Sequence, residues 1–216
     1  MNILEKLFGG AARVRVMRFF LQNPDRVATS KELARLAGIS AVSARREIHF
    51  LRAVGFIASA KRIDEVIKRK KTKKQKISGF RFSADFPLAG PVRNLVIGAS
   101  PVSREKIAHY FKNRNGIQLV ALGGAFISAV SSGSDTIPLS EYLDDYQSLD
   151  LLIVGRKTTR SALEPFIKKL EAEMGRELMW ALLAPAEFEH RRAMHDKFLR
   201  DLFDYPHEIL INKLGI

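Results

Sequence analysis

The chain has 216 residues, of which 46% are hydrophobic and 27% are charged, so it is long enough to bury a core in one or two domains. It contains no cysteine, which excludes disulfides, thiolate metal sites and cysteine nucleophiles. The sequence has neither a run of about 18 apolar residues nor the layout of a signal peptide at its start. We therefore expect a cytoplasmic protein that has no membrane partner.

The net charge of +13 is confined to one half of the chain. Residues 1–90 contain 20 Lys and Arg against 7 Asp and Glu, whereas residues 91–216 contain 16 of each sign. A concentrated cationic region suits a polyanion better than a general need for solubility. Nucleic acid is favoured over a membrane surface, because the basic stretch lacks the regular apolar stripe of a surface-lying helix.

Two helices are predicted near the start of the chain. The first lies between Gly10 and Pro24, where Val16, Met17, Phe20 and Leu21 recur at helical spacing. The second covers residues 31–36, with Thr29 or Ser30 as its N-cap and Gly38 at its end.

A third helix is predicted over residues 41–54. Ser40 is a suitable N-cap, and Ala44, Ile48 and Leu51 fall at i, i+4 and i+7, which predicts a buried stripe. Two helices joined by the tight turn at residues 37–40 are typical of a helix-turn-helix, whose second helix enters the major groove. The stretch from Leu33 to Ile57 resembles winged helix-turn-helix regulators of bacteria and archaea, and this resemblance covers about the first 90 residues.

The outward positions of the third helix are the predicted base-reading surface. Arg45 or Arg46 is expected to bind guanine through two hydrogen bonds, Ser40 and Ser43 to contact phosphates, and Ala41 to allow close approach to a base or to touch a thymine methyl. The alternative is that the arginines are solvated surface residues or, for Arg46, locally paired. The predicted DNA-binding positions on this helix are Ser40, Ala41, Val42, Ser43, Arg45, Arg46 and His49.

Residues 56–62 and 76–82 favour β-structure and predict a hairpin that forms the wing. Between them lies a basic run that we expect to be a mobile tip which contacts phosphates and releases counterions. The alternative is a disordered loop without a binding role. The predicted phosphate-binding residues of the run are Lys68, Arg69, Lys70, Lys71, Lys73, Lys74 and Lys76.

A turn-rich joint at residues 83–91 predicts two domains, covering residues 1–86 and 87–216. In the second, helices are predicted at 91–98 and 103–112, and compact apolar runs predict buried strands at 117–122, 149–154 and 178–183. A helix opened by a capping box at Ser161 and Glu164 is predicted to run to Met174. Strand, helix and strand indicate a layered α/β domain, and the whole chain is expected to be of the α+β class.

Gly123-Gly124 after the first strand and the motif Leu149-Asp150-Leu-Leu-Ile-Val-Gly155 resemble a minimal, polymerase-beta-like nucleotidyltransferase domain. The tail from Gly175 to Phe203 is similar to that of regulators that join such a domain to a winged helix. The resemblance implies Gly-Ser after the first strand and Asp-x-Asp on the second, whose carboxylates hold two Mg²⁺ ions.

This sequence departs from the enzyme pattern. Gly124 stands where the serine is expected, and Ser148 stands where the first aspartate is expected, so only Asp150 is left. One carboxylate does not build a two-metal site. We therefore expect Gly123, Gly124 and Asp150 to be the vestige of a nucleotide site, with no catalytic residue, no metal, no cofactor and no enzyme activity. Asp144 and Asp145 are alternative ligands from the long segment that precedes Asp150.

Together these patterns predict a transcriptional regulator that binds double-stranded DNA as a homodimer. The second domain is expected to supply dimerisation, sensing of a small-molecule effector or a surface for a protein partner. The competing hypotheses are an active Mg²⁺-dependent, antitoxin-like nucleotidyltransferase with a basic nucleic-acid-binding arm, and a non-enzymatic RNA-binding or scaffold protein.

Overall fold

The computed structural model describes residues 3–68, 71–98, 104–128 and 149–216. Helices and two β-sheets place the protein in the α+β class. The chain divides into two compact units, one formed by residues 1–97 with 171–176 and the other by residues 98–170 with 177–216. Within the described ranges, no helix has the length and apolar character needed to cross a membrane.

The first unit begins with four helices, of which the predicted three lie close to their expected positions. The short first helix was not predicted, and its Leu4 is buried. The helices are α1 (Ile3–Leu7), α2 (Ala11–Gln22), α3 (Ser30–Leu36) and α4 (Ala41–Ala53).

Side chains fix the starts of α3 and α4. Thr29 caps α3 in a capping box, because its hydroxyl accepts from the Glu32 amide while the Glu32 carboxylate accepts from the Thr29 amide. Ser40 caps α4 by accepting from the Ser43 amide at 3.0 Å. Gly38, between the two helices, has φ +58°, a conformation that glycine adopts without strain.

A long antiparallel hairpin follows, formed by β1 (Ile57–Lys68) and β2 (Lys71–Phe82). The predicted strands were too short and the predicted tip was wrong, because most of the basic run is paired strand. The register sets Glu65 against Lys74, so opposite charges face each other across the ladder. Both strands also contain β-branched residues in this region, which favour extended backbone. Arg69 and Lys70 lie outside the described residues.

The core of the first unit confirms the predicted stripe of α4. Ala44, Ile48 and Leu51 are buried, and a cluster of apolar side chains from the helices and the hairpin base surrounds them. At that base the backbone of Ala28 pairs with Phe80 in both directions, at 2.9 Å each. The hairpin is therefore joined to the segment that precedes α3.

The first unit extends beyond the predicted boundary at residue 86. Helix α5 (Ala89–Gly98) places Val96 in the same core, and buried Arg18 of α2 donates to the Val96 carbonyl at 3.2 Å. Arg18 also donates to the carbonyl of Glu173 at 3.3 Å, and Asn23 donates to the carbonyl of Gly175 at 2.8 Å. Burial lowers the pKa of Arg18 to about 10. Carbonyls from distant parts of the chain thus complete this unit.

The second unit contains a four-stranded sheet in the order β5-β4-β3-β6. Strands β3 and β4 are antiparallel, β3 and β6 are antiparallel, and β4 and β5 are parallel. The strands are β3 (Ile117–Leu122), β4 (Leu151–Gly155), β5 (Trp180–Leu183) and β6 (Glu208–Asn212). The helices are α6 (Arg104–Lys112), α7 (Gly124–Ser128), α8 (Arg160–Met174), α9 (Pro185–Ala193) and α10 (Lys197–Phe203). Residues 171–174 of α8 belong to the first unit.

Three local predictions in this unit were wrong. Strand β4 begins at Leu151, two residues later than predicted. Helix α8 begins at Arg160, and the amide of Ala162 donates to the carbonyl of Thr159. Ser161 is therefore a residue within the helix and not its N-cap. Strand β5 starts at Trp180, two residues later than predicted, and the amide of Met179 donates to the Asp150 carboxylate at 2.8 Å. Strand β3 and the end of α8 at Met174 are confirmed.

Substitution of Gly175 tests the close contact between residues 171–176 and the backbone of α2. Its φ is +78°, and a Cβ there would lie 2.6 Å from the carbonyl carbon of Arg18 and 2.7 Å from the amide nitrogen of Phe19. We expect Gly175→Ala to lower the free energy of unfolding by about 2 kcal/mol or more, because backbone atoms must move. Urea unfolding followed by circular dichroism measures this change.

Gly90→Ala is the matched control, because Gly90 lies in α5 and a Cβ there meets nothing within 4 Å. Its free energy of unfolding is expected to stay within about 0.5 kcal/mol of the wild type. Equal stability of the Gly175 and Gly90 variants would contradict the close approach of Gly175 to α2.

Candidate nucleic-acid interface

One face of α4 is buried and the opposite face carries most of the predicted DNA-binding residues. The buried positions repeat at helical spacing, so the residues between them point outward. Val42 is 72% exposed. Ser43 is partly exposed, and the other predicted positions, all exposed, are Ser40, Ala41, Val42, Arg45, Arg46 and His49.

The two serines are engaged in capping α4. The Ser40 hydroxyl accepts from the Ser43 amide at 3.0 Å and donates to the Ser43 hydroxyl at 2.9 Å. They therefore order the first turn of the helix, and their contact with phosphate stays a prediction.

Arg45 and Arg46 are held differently, although they are neighbours in sequence. Nε of Arg45 donates to the carbonyl of Ala41 at 3.2 Å, so this guanidinium lies along the first turn of α4. Nε and Nη2 of Arg46 both lie 3.1 Å from Oε1 of Glu47. The side chain of Arg46 is nevertheless 71% exposed. The sequence-based alternative of local pairing thus applies to Arg46, which still presents most of its surface to solvent.

Glu47 lies buried beneath this surface and is a residue that the sequence analysis missed. Its side chain is 3% exposed, and its second oxygen, Oε2, accepts from Nε of Arg13 in α2 at 2.8 Å. The guanidinium of Arg13 also stacks on the ring of Phe50, 3.6 Å from the centroid. The signal was present in the spacing, because Glu47 falls three residues after Ala44 and four before Leu51, on the buried stripe.

The hairpin adds exposed cations beside a paired backbone. Lys74 and Lys76 are exposed in β2, and the register sets Lys76 opposite Ile63, which is itself 64% exposed. Since partners across an antiparallel ladder share a face, Lys61, Ile63 and Lys76 lie on the same side of the hairpin. Lys68, Lys71 and Lys73 also belong to the two strands.

Arg62 joins the hairpin to the start of α3, another contact that sequence reasoning missed. Its guanidinium donates to Glu32, to the carbonyl of Val27 and, at 2.8 Å, to Asp64. The hydrogen bond from Arg62 is the largest influence on Glu32 and lowers the pKa of Glu32 to about 2. In return, the carboxylates of Glu32 and Asp64 raise the pKa of Arg62.

These pairs leave the excess positive charge of the first unit unchanged. Glu32, Glu47 and Asp64 are all engaged with arginines of the same unit. Residues 1–90 contain 7 acidic and 20 basic residues. With three of the acids paired to arginines inside the unit, the exterior remains strongly cationic. Such a surface attracts polyanions by long-range electrostatics.

In the second unit, the predicted vestigial residues do come together. Asp150 is 0% exposed, and its two carboxylate oxygens accept from the amides of Ala125 at 2.7 Å and Met179 at 2.8 Å. A Cβ on Gly123 would lie 2.5 Å from Leu202 and 2.7 Å from the carbonyl of Leu149, and Gly124 has φ +42°. These residues therefore have packing and hydrogen-bonding roles in the fold.

Acidic ligands for a metal are sparse in the described part of the chain. Within residues 3–68, 71–98, 104–128 and 149–216, the structure places no three His, Cys, Asp or Glu side chains where they could hold one ion. The alternative ligands Asp144 and Asp145 lie outside these ranges.

Comparison with known proteins does not assign the chain to a family. No protein-family model matches the sequence, and no curated protein matches it either.

The contact between Glu32 and Arg62 predicts a specific dependence of stability on pH. Because the pKa of Glu32 falls from 4.5 to about 2 on folding, the unfolded chain binds more protons between those values. The stabilisation is complete above about pH 4.5 and is lost as the pH falls towards 2. We expect Glu32→Gln to flatten this part of the curve of urea midpoint against pH.

Asp25→Asn, at an exposed acid of the same unit, serves as the control and is expected to keep the slope of the wild type. If Glu32→Gln and the wild type lose stability in parallel between pH 4.5 and 2, the contact with Arg62 does not hold the Glu32 carboxylate as described.

Proposed function

We propose that the first unit binds double-stranded DNA as a winged helix-turn-helix domain and that the protein is a transcriptional regulator. The observation that carries the proposal is the outer face of α4, where Arg45, Arg46 and His49 are exposed on a helix whose other face is buried. Such a helix presents polar side chains to base edges while its neighbours hold it in place.

Helix α4 and the hairpin have separate roles in this proposal. The arginines of α4 read base edges in the major groove, and exposed Val42 contacts thymine methyl groups. The lysines of the hairpin bind phosphates and release counterions, which adds affinity for every sequence. The protein acts as a cytoplasmic homodimer, because one recognition helix covers too few base pairs for useful specificity.

The second unit, in this proposal, is a nucleotidyltransferase-like domain without catalytic activity that supplies dimerisation, effector sensing or a partner surface. Burial of Asp150 and the hydrogen bonds of both its oxygens to backbone amides support this view. In this proposal the two backbone hydrogen bonds hold the Asp150 carboxylate as a structural group of the fold.

Salt dependence tests the division between α4 and the hairpin. Neutralising an exposed hairpin lysine with Lys76→Gln should weaken binding to every duplex sequence and reduce the slope of log affinity against log salt by about 1. Arg46→Ala should instead cost about 1 to 3 kcal/mol on the preferred sequence and less on random DNA. Fluorescence anisotropy on both duplexes over a salt series gives both quantities.

Lys168→Gln is the matched control, because Lys168 is an exposed lysine of the second unit. It is expected to leave both the affinity and the slope unchanged. Failure of the wild type to bind duplex DNA at low ionic strength, or tighter binding to structured RNA, would overturn the proposed function. Mg²⁺-dependent transfer of a labelled nucleotide would overturn the assignment of the second unit as inactive.

A further inference from the structure

We infer that Glu47 is a positioning residue that holds Arg46 for the recognition of a guanine base edge. The inference rests on the proposed function and goes further, because it assigns one base contact to one side chain and names the group that orients it.

The orientation of Arg46 follows from which of its donors are used. Nε and Nη2 both lie 3.1 Å from Oε1 of Glu47, so the side edge of the guanidinium faces the protein. A guanidinium is planar and has five N–H donors in a fixed fork. The end of the fork, formed by Nη1 and the second hydrogen of Nη2, is therefore the edge that remains for a ligand. It offers two parallel donors.

Glu47 is itself fixed and so can orient a neighbour. Its other oxygen accepts from Nε of Arg13 at 2.8 Å, and Arg13 is stacked on Phe50 at 3.6 Å from the ring centroid. The Glu47 carboxylate is almost fully buried, at 3% exposure, so water screens its ion pair with Arg13 little. Arg13, Glu47 and Arg46 form a row that runs from α2 to the outer face of α4.

Two parallel donors fit guanine better than the other bases. Guanine presents N7 and O6 as adjacent acceptors in the major groove, and a pair of hydrogen bonds from arginine is its usual specific contact. A fork that is already oriented loses less conformational entropy on binding. A phosphate also accepts two hydrogen bonds, but a phosphate contact carries no base preference, and this difference allows a test.

Arg45 provides an internal comparison. Its Nε donates to a backbone carbonyl of its own helix at 3.2 Å, and it lies in the exposed first turns of α4. It has the same charge as Arg46 and neighbours it in sequence, yet no carboxylate contact is described for it. The inference therefore predicts that a change at Glu47 alters base preference through Arg46 and leaves the contribution of Arg45 unchanged.

The test begins with selection of duplexes from random DNA by the full chain, for the wild type, Arg46→Ala, Glu47→Gln and Arg45→Ala. We expect the wild-type motif to contain a guanine whose preference disappears with Arg46→Ala and with Glu47→Gln and persists with Arg45→Ala. Replacing that guanine by 7-deazaguanine, which lacks the N7 acceptor, should weaken wild-type binding about tenfold and binding by Glu47→Gln about twofold or less.

A double-mutant cycle separates orientation from general stability. In the Arg46→Ala background, Glu47→Gln should not change the ratio of affinities for the guanine and 7-deazaguanine duplexes. Gly175→Ala, which destabilises the first unit through its contact with Arg18 and Phe19 and touches neither Arg46 nor Glu47, should keep the wild-type ratio. Loss of the ratio in Gly175→Ala as well would mean that Glu47 acts only through stability, and the inference would be wrong.

If Glu47→Gln does not fold, Arg46→Lys provides a second test of the guanine contact. Lysine retains the charge but not the planar fork that Glu47 orients, so the guanine preference is expected to weaken while the salt slope stays the same. An undiminished preference in Arg46→Lys, or an equal loss of affinity for all duplexes, would show that the oriented fork of Arg46 does not read the guanine and would overturn the inference. A wild type that selects no duplex would instead overturn the proposed function from which it starts.

Discussion

Packing of α4 against α2 is the constraint on which the rest of the first unit depends. A helix that buries one stripe exposes the complementary stripe, so the burial of Ala44, Ile48 and Leu51 determines which side chains face outward. Glu47 lies on the buried stripe as well and is paired with Arg13 of α2 and with Arg46. A buried carboxylate without partners would be costly, so this position links the rotation of α4 to the placement of two arginines.

The charge of the first unit is organised by the difference between its arginines and its lysines. Arg13, Arg18 and Arg62 bind carboxylates or carbonyls inside the unit, where the planar fork can satisfy several acceptors at once. Lys74 and Lys76, by contrast, are exposed on the hairpin. Arginine therefore holds the elements together and compensates the acids, and lysine supplies much of the outer positive field.

In the second unit, features typical of a phosphate or metal site serve the fold. Gly123 is required by the close approach of Leu202 and the Leu149 carbonyl, and Asp150 accepts two backbone hydrogen bonds in a fully buried position. A glycine pair after a strand and an acid at the start of another are therefore weak evidence for chemistry, because close packing and backbone hydrogen bonding require the same residue types.

The sequence by itself determined the positions of α2, α3 and α4, the α+β class and the location of the basic charge, because helical periodicity, capping residues and composition are local properties. It predicted neither the full length of the hairpin nor the membership of residues 89–97 and 171–176 in the first unit. The hairpin depends on pairing across its two strands, as between Glu65 and Lys74, and the unit boundary depends on partners far apart in the chain, such as Arg18 and the carbonyl of Glu173. Arg46 is held by its sequence neighbour Glu47, but the pairing of Glu47 with Arg13 exists only when α2 and α4 pack together. Tertiary structure alone therefore decided how the carboxylate that holds Arg46 is fixed.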